Sequence, residues 1–585
     1  MTVIGKIIWI NGPVVKASGM AKSKMHELVY VGVEELIGEI IRIQGDMAYV
    51  QIYEDTSGLK PGEPVRGTGQ PLSVTLGPGL IGSIFDGIQR PLNKISLTAG
   101  AFISRGVKVS PIPLDERWHF IPETRRDKVK PGDILGYVKE NDVILHKIMV
   151  PPNVSGKLID IVDEGKYKAN ETIAIIEKNS LKISLTMIQK WPVRIPRPFK
   201  NKLSPRIPLI TGTRVIDTFF PVAKGGTACI PGGFGTGKTV LLHQISSWNN
   251  AKIVIYIGCG ERGNEMSEIL IRFPKIEDPY SGKPLMHRTI MIANTSNMPV
   301  VAREASIYTG VTLGEYYRDM GYDVVIVADS TSRWAEALRE VSGRLEEMPA
   351  EEGYPSYLAS RIAEFYERAG RVECLGKPDR IGSVTIIGAV SPPGGDFTEP
   401  VTTHTLRYTK VLWALDTSLA YARHYPAINW IMSYSAYTDI IGDWWMKIDE
   451  NWRQYRENAM KILQREDELR EIVKILGPEI LPPEERLILI TARILREGLL
   501  QQDAFSEVDS YNCKEKQVAL LRVMLRFHNE AEKALKRNIS IEKISSMKLI
   551  SELIRLKETY GNNQVKEILK WEEKIKSFFE KICEE

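Results

Sequence analysis

The chain has little cysteine: five in 585 residues, Cys229, Cys259, Cys374, Cys513 and Cys583. They form no Cys-x-x-Cys pair and their number is odd. That excludes a disulfide framework and a zinc knuckle as organising devices and fits a reducing, cytosolic setting. Long apolar runs are missing as well. With nowhere eighteen apolar residues in succession, no transmembrane segment is expected, so work at a membrane would go through partners. The start, MTVIGKIIWINGP, is broken by Gly5 and Lys6 and has neither a basic leader nor a small-residue cleavage site, so it reads as a strand and not a signal peptide. Charge of one sign is also scarce. Lys+Arg 77 against Asp+Glu 73 leaves +4, too little over this length for a general nucleic-acid or membrane-surface binder. An anionic ligand must therefore be held by a local site.

What is present is ordinary for folded protein, 43% hydrophobic and 26% charged, and long enough for more than one core and about four domains at most. Residues 1–72 alternate apolar and polar positions in short runs divided by turn signals, which predicts a small antiparallel barrel or sandwich. Residues 111–185 read as a second β module, with hairpin-like VKPGDILGYV and KIMVPPNVSGKLIDI. A proline-rich connector, Trp191 to Pro208, follows. Between them, 73–110 and 186–440 form the third expected domain. There, buried-type strands such as Lys252 to Ile257 and Val324 to Ala328 alternate with helices such as Ala302 to Met320, the pattern of an α/β fold with a mostly parallel sheet. From 441 to 585 only helices are expected: Glu466 to Leu476, Glu484 to Glu497, Lys514 to Lys536 and Val565 to Cys583. The apolar residues of the last fall mainly on one face, and a helix packed on the protein body is preferred to one lying on a membrane, because its other face mixes both charges.

The chemistry concentrates in Gly232-Gly233-Phe234-Gly235-Thr236-Gly237-Lys238-Thr239, a complete G-x-x-x-x-G-K-T phosphate loop. It follows the apolar Thr227 to Ile230 and opens, from Val240, into VLLHQISSW. Glycines let backbone N–H groups converge on phosphate oxygens, and the helix start adds positive potential. Lys238 would neutralise β- and γ-phosphate oxygens and the Thr239 hydroxyl would ligate Mg2+. Asp329, after an apolar strand, is the second expected magnesium residue, against the alternative of a helix cap. Hydrolysis also needs a base. Glu261, in GCGERGNE beyond the strand Lys252 to Ile257, is the candidate for polarising water. Arg262 would stabilise charge on the γ-phosphate and Glu265 would order water around the metal. A helix-capping cluster with a solvated ion pair accounts for the same residues equally well, and spacing does not separate the two.

The stretches GGFGTGKT, GCGERGNEM, IANTSNMPVVAREASIYTG, VVIVADSTSRWAEALREVSGRLEEMP, SPPGGDFTEPV and RHYPAINW resemble the catalytic A subunits of V-type and archaeal A-type rotary ATPases, over nearly the whole chain. The resemblance implies a RecA-like phosphate-loop core with an N-terminal β-barrel, an inserted β module and a C-terminal helical domain. It makes Glu261 the catalytic carboxylate and Gly232 through Val240 the ATP/ADP phosphate contacts. Lys238, Arg262, Glu265, Asp329 and, in the same stretch, Arg333 would complete the site around Mg2+. It assigns Tyr425, Pro426 and Phe505 to the adenine ring, which stacking would hold without many hydrogen bonds. It further implies an alternating hexamer with a non-catalytic B subunit that supplies an arginine finger, together with central shaft subunits, a peripheral stalk, an indirect link to a membrane rotor, and no nucleic acid. The turn Leu476 to Glu484 is similar to the segment that pushes on the shaft. Thr236 stands where eukaryotic members carry cysteine, so thiol control there is not expected. Gly233 replaces proline or alanine and should loosen the loop. The competing class is a hexameric phosphate-loop RNA helicase, against which stand the near-neutral charge and the lack of a basic, aromatic-rich N-terminal stripe.

Overall fold

The computed structural model describes residues 3–99, 105–123 and 127–584. The chain divides into two compact units. One comprises the chain up to Ser204, Gly225–Thr227 and Ala251–Thr409; the other comprises Pro205–Lys224, Ala228–Asn250 and the chain from Lys410 onward. The segment 186–440 contributes to both.

The first unit opens with six antiparallel strands closed into a barrel: Ile4–Asn11, Val14–Ser18, Glu27–Val31, Leu36–Gln44, Met47–Ile52 and Pro64–Pro71. The period-2 alternation turns Val15, Ala17, Val29, Val31, Ile40 and Val50 into one core. Closure comes from the first and last strands, with Ile4 opposite Arg66 and Lys6 opposite Pro64. Glu39 is fully buried at this barrel. It is held bidentately by Arg194, Nε to Oε1 at 2.8 Å and Nη2 to Oε2 at 2.9 Å, and the same guanidinium reaches Glu304 at 3.0 and 2.9 Å. One arginine from the connector thus fastens the barrel to the helix Val300–Asp319.

Residues Arg117 to Leu185 carry two four-stranded sheets, each antiparallel throughout. The α/β part of this unit lays parallel strands in the order Ile381–Val390, Asp323–Asp329, Ile253–Glu261, Thr289–Thr295, Ile84–Phe85. The strand expected to stop at Ile257 continues to Glu261, because pairing with Thr289–Thr295 persists through Cys259 and resumes at Glu261 after a register shift. Two glycines in that stretch lower its β propensity, and the sheet neighbours override it.

In the second unit the strand Thr227–Pro231 runs parallel to Val411–Leu412. Beyond Trp445 all described elements are helical. The helix expected from Glu466 begins at Trp452 and ends at Leu476, where Gly477 at φ 83° and Pro478 stop it. The expected helix Val565 to Cys583 is two, Val565–Leu569 and Trp571–Glu584. The second restarts at Trp571, whose indole N–H donates to Tyr560 Oη at 3.3 Å. Ile568, Ile575 and Phe579 are buried, and Phe579 lies 5.6 Å from the Phe527 ring, so this amphipathic segment packs on the helix Lys514–Lys536. Among the described residues no helix is long and apolar enough to cross a membrane.

Candidate functional site

The phosphate loop joins the buried strand Thr227–Pro231 to the helix Lys238–Trp248. Gly235 and Gly237 both sit at φ 79°, a region closed to most L-residues, and this turns the loop tightly into the helix. A side chain at Gly232 would meet Thr236 Oγ1 at 2.7 Å and Leu415 Cβ at 2.9 Å. The Thr236 hydroxyl donates to the Gly233 carbonyl at 2.8 Å, a bond across the loop at the residue expected to loosen it. The Lys238 ammonium curls back over the loop to donate to the Gly232 carbonyl at 3.2 Å. Phe234 at the tip is 88% exposed, while Thr239 and Val240 are half-buried in the first helical turn.

The same unit holds the three residues expected at the adenine ring. The Tyr425 ring lies 3.6 Å from where a Cβ of Gly237 would stand. Tyr425–Pro426 is a cis peptide, with Pro426 buried. Phe505 is 75% exposed, on a turn whose Ala504 carbonyl accepts from Gln244 Nε2 of the phosphate-loop helix at 2.8 Å. By residue type alone both aromatic rings read as core; one is in fact largely open to solvent.

The first unit carries the acidic group. Glu261 ends its strand, Arg262 is the N-cap of the helix Gly263–Arg272 without a side-chain cap bond, and Glu265 lies in its first turn. Asp329 ends the neighbouring strand, paired opposite Gly258, and is fully buried. It is not a helix cap: the N-cap of Thr331–Arg344 is Ser330. The phenol of Tyr256 donates to Asp329 Oδ2 at 3.1 Å. Burial first, and then the charges of Asp329 and Glu261, push this phenol well above its ordinary range. The Cys259 thiol is pushed up to about 12, chiefly by burial, so it is inert. Gly260 has φ +72°, and a Cβ there would meet Arg333 Cβ at 2.8 Å and Arg303 Cδ and Nε at 3.0 Å. Arg333 pairs with Glu336 at 2.8 Å, and that hydrogen bond first, with the charges of Glu336 and Glu261 against partial burial, raises its guanidinium further.

The residues singled out from sequence therefore form two groups: Gly232 through Val240 with Tyr425, Pro426 and Phe505 in the second unit, and Glu261, Arg262, Glu265, Asp329 and Arg333 in the first. Tyr256 and Arg303 were not legible as site residues. Tyr256 lies within an apolar strand and reads as core; its counterpart carboxylate is seventy-three positions away.

Comparison with known proteins agrees with this architecture. Residues 212–435 match the nucleotide-binding domain of the ATP synthase alpha/beta family, 7–69 its beta-barrel domain and 109–194 its barrel-sandwich domain. Residues 442–545 match the C-terminal domain of V and A type ATP synthase. The A subunit of the A-type ATP synthase of Methanopyrus kandleri is 58% identical, over 100% of this chain and 99% of its own. That of Desulfurococcus sp. is 59% identical over 95% of each, and that of Metallosphaera sedula 54% over 99% of each. A solved structure, the assembled ATPase EscN of the type III secretion system of enteropathogenic E. coli, shares the fold at TM-score 0.64 and 20% identity, over 89% of this chain and 99% of that one. Identity above one half along whole chains, on a phosphate-loop α/β core with this barrel and this helical end, means that the chain belongs to the A subunits of A-type ATP synthases.

Proposed function

We propose that the chain holds ATP on Gly232 through Val240 and turns it over with Glu261 as the catalytic carboxylate. As a member of the A subunits it is the catalytic subunit of a rotary ATPase and ATP synthase, and an RNA helicase is not favoured. The observation that supports the residue assignment is the placing of Glu261 and Asp329 at the carboxyl ends of paired parallel strands, where ligands of open α/β sheets bind. Glu261 accepts a proton from water as the oxygen attacks the γ-phosphorus. The bond from that phosphorus to the β–γ bridging oxygen breaks, ADP leaves with the electron pair, and synthesis runs the same path backwards. Lys238 and Arg262 offset charge on the phosphate oxygens.

Mg2+ fits the donors available. Asp329 and Glu265 offer carboxylate oxygens and Thr239 a hydroxyl, all hard ligands. When bound, the ion neutralises phosphate charge. The Tyr256 phenol orients the Asp329 carboxylate meanwhile.

In the assembled complex the neighbours are a B subunit, alternating in a hexamer and lending an arginine finger, central shaft subunits, a peripheral stalk and, indirectly, a membrane rotor. Glu261→Gln tests the reading. Nucleotide affinity should stay near wild type while turnover of the assembled complex falls by about 10²–10⁴-fold; unchanged turnover removes Glu261 from its role.

A further inference from the structure

The proposed base site is built from two stretches far apart in sequence, Tyr425-Pro426 and the turn bearing Phe505, and both converge on one residue, Gln502, whose buried side chain pins the backbone that bonds them. Gln502, 3% exposed, accepts at Oε1 from the Arg214 backbone N–H at 2.8 Å. Its Nε2 donates to the carbonyls of Gly212 at 2.9 Å, Asp509 at 2.9 Å and Ser510 at 3.2 Å. Only one amide orientation satisfies these partners, since the reverse would set Oε1 against three carbonyls. The backbone so pinned donates from Gln502 N to the Tyr425 carbonyl at 2.7 Å. Immediately downstream, Asp503 N donates to Asp509 Oδ2 at 2.9 Å and Phe505 N to Asp503 Oδ1 at 2.9 Å. Gln244, also buried, closes the frame from the phosphate-loop helix through its 2.8 Å bond to the Ala504 carbonyl.

Resting on the assignment of Tyr425, Pro426 and Phe505 to the base, we infer that Gln502 and Gln244 are positioning residues that set the gap between the Tyr425 and Phe505 walls, and with it the preference of the site for an adenine nucleotide over bare polyphosphate. Neither glutamine needs to touch the nucleotide. A rigid gap matched to the thickness of a planar base is what gives stacking its affinity, and a turn such as that of the largely exposed Phe505 would otherwise lose it to loop entropy. Gln502 fixes both walls to each other; Gln244 fixes one of them to the helix that begins at the phosphates.

The test compares binding of Mg-ATP and of inorganic tripolyphosphate, which has no base, to the full-length chain, with turnover followed in the assembled complex. Gln502→Met and Gln244→Met keep side-chain volume and lose the hydrogen bonds. Each should weaken Mg-ATP about tenfold, leave tripolyphosphate unchanged, and raise KM with little change in kcat. Equal weakening of both ligands, or of neither, overturns the inference. Should Gln502→Met not fold, Gln244→Met, which removes a single bond, decides alone. Phe505→Ala and Tyr425→Ala separate the layers. If they leave the ratio of the two affinities unchanged, the base assignment itself is wrong. If they change it and the glutamine variants do not, only the positioning role is lost.

Discussion

The Tyr256 phenol and the Asp329 carboxylate meet at 3.1 Å in a wholly buried setting, donor on one parallel strand and acceptor at the end of the next. Because burial and the nearby carboxylates hold the phenol well above its ordinary pKa, it remains a donor at every working pH. It therefore orients one Asp329 oxygen. Tyr256→Phe keeps the ring and removes the donor, so it should cost about 1–3 kcal/mol of stability. It should also raise the magnesium concentration needed for half-maximal turnover, with ATP affinity at saturating magnesium little changed. Thermal unfolding and a magnesium titration of the assembled complex read the two effects separately.

Lys238 is curled onto the Gly232 carbonyl, an interaction that phosphate oxygens would replace by stronger, charge-assisted ones. Lys238→Ala should weaken Mg-ATP by about 10- to 100-fold. Calorimetric titration of the full chain checks this, and wild-type affinity would remove the phosphate loop from the binding site.

Legibility from sequence followed how local each signal was. The phosphate loop is eight contiguous residues with an obligatory glycine pattern, and its strand-loop-helix setting is present as read. Period-2 alternation announced the strands of the barrel, but not their closure, which rests on the pairing of the first strand with the last. Where the reading stopped short, a non-local partner made the difference: the strand to Glu261 outruns its glycines because Thr289–Thr295 pairs with it. The helix Trp452–Leu476 extends upstream of Glu466 along a sparse face, Trp452, Ala459, Ile462 and Leu463, diluted by polar neighbours and anchored by Trp452 stacked 5.4 Å from Trp445. Tyr425, Pro426 and Phe505 carry no pattern of their own and rest on family resemblance. The Tyr256–Asp329 bond and the Gln502 frame depend on contacts that sequence order does not disclose.

The Glu39–Arg194–Glu304 network should make the first unit sensitive to acid. Burial alone would raise the Glu39 carboxyl, but the paired Arg194 guanidinium, with hydrogen bonds from His26 and Tyr53, outweighs it and holds the group far below its ordinary 4.5. A carboxyl depressed by folding stabilises fully above its unfolded value and loses that contribution as pH falls through the folded one. Stability should therefore decline below about pH 4.5, the ordinary value of the group, and Glu39→Gln should flatten that decline. Arg194→Met leaves two buried carboxylates facing each other and should cost about 3–5 kcal/mol at neutral pH. Denaturant unfolding of the full chain between acid and neutral pH measures both, and an unchanged acid limb in Glu39→Gln would falsify the assignment.

Gly260 is the position where backbone shape and the acidic group are most closely joined. Its φ of +72° disfavours any side chain, and a methyl there would stand 2.8 Å from Arg333 Cβ and 3.0 Å from Arg303. The nearer clash is at the root of the Arg333 side chain, not its flexible end, so the helix Thr331–Arg344 or the strand ending at Glu261 must move. Gly260→Ala should then cost about 1–3 kcal/mol and lower turnover by shifting Glu261, the very next residue. Mg-ATP affinity, carried by the phosphate loop of the other unit, should change little. Single-turnover hydrolysis beside equilibrium nucleotide binding distinguishes this from general damage: a variant that loses affinity and turnover in proportion would mean that Gly260 supports the fold and not the placing of the carboxylate.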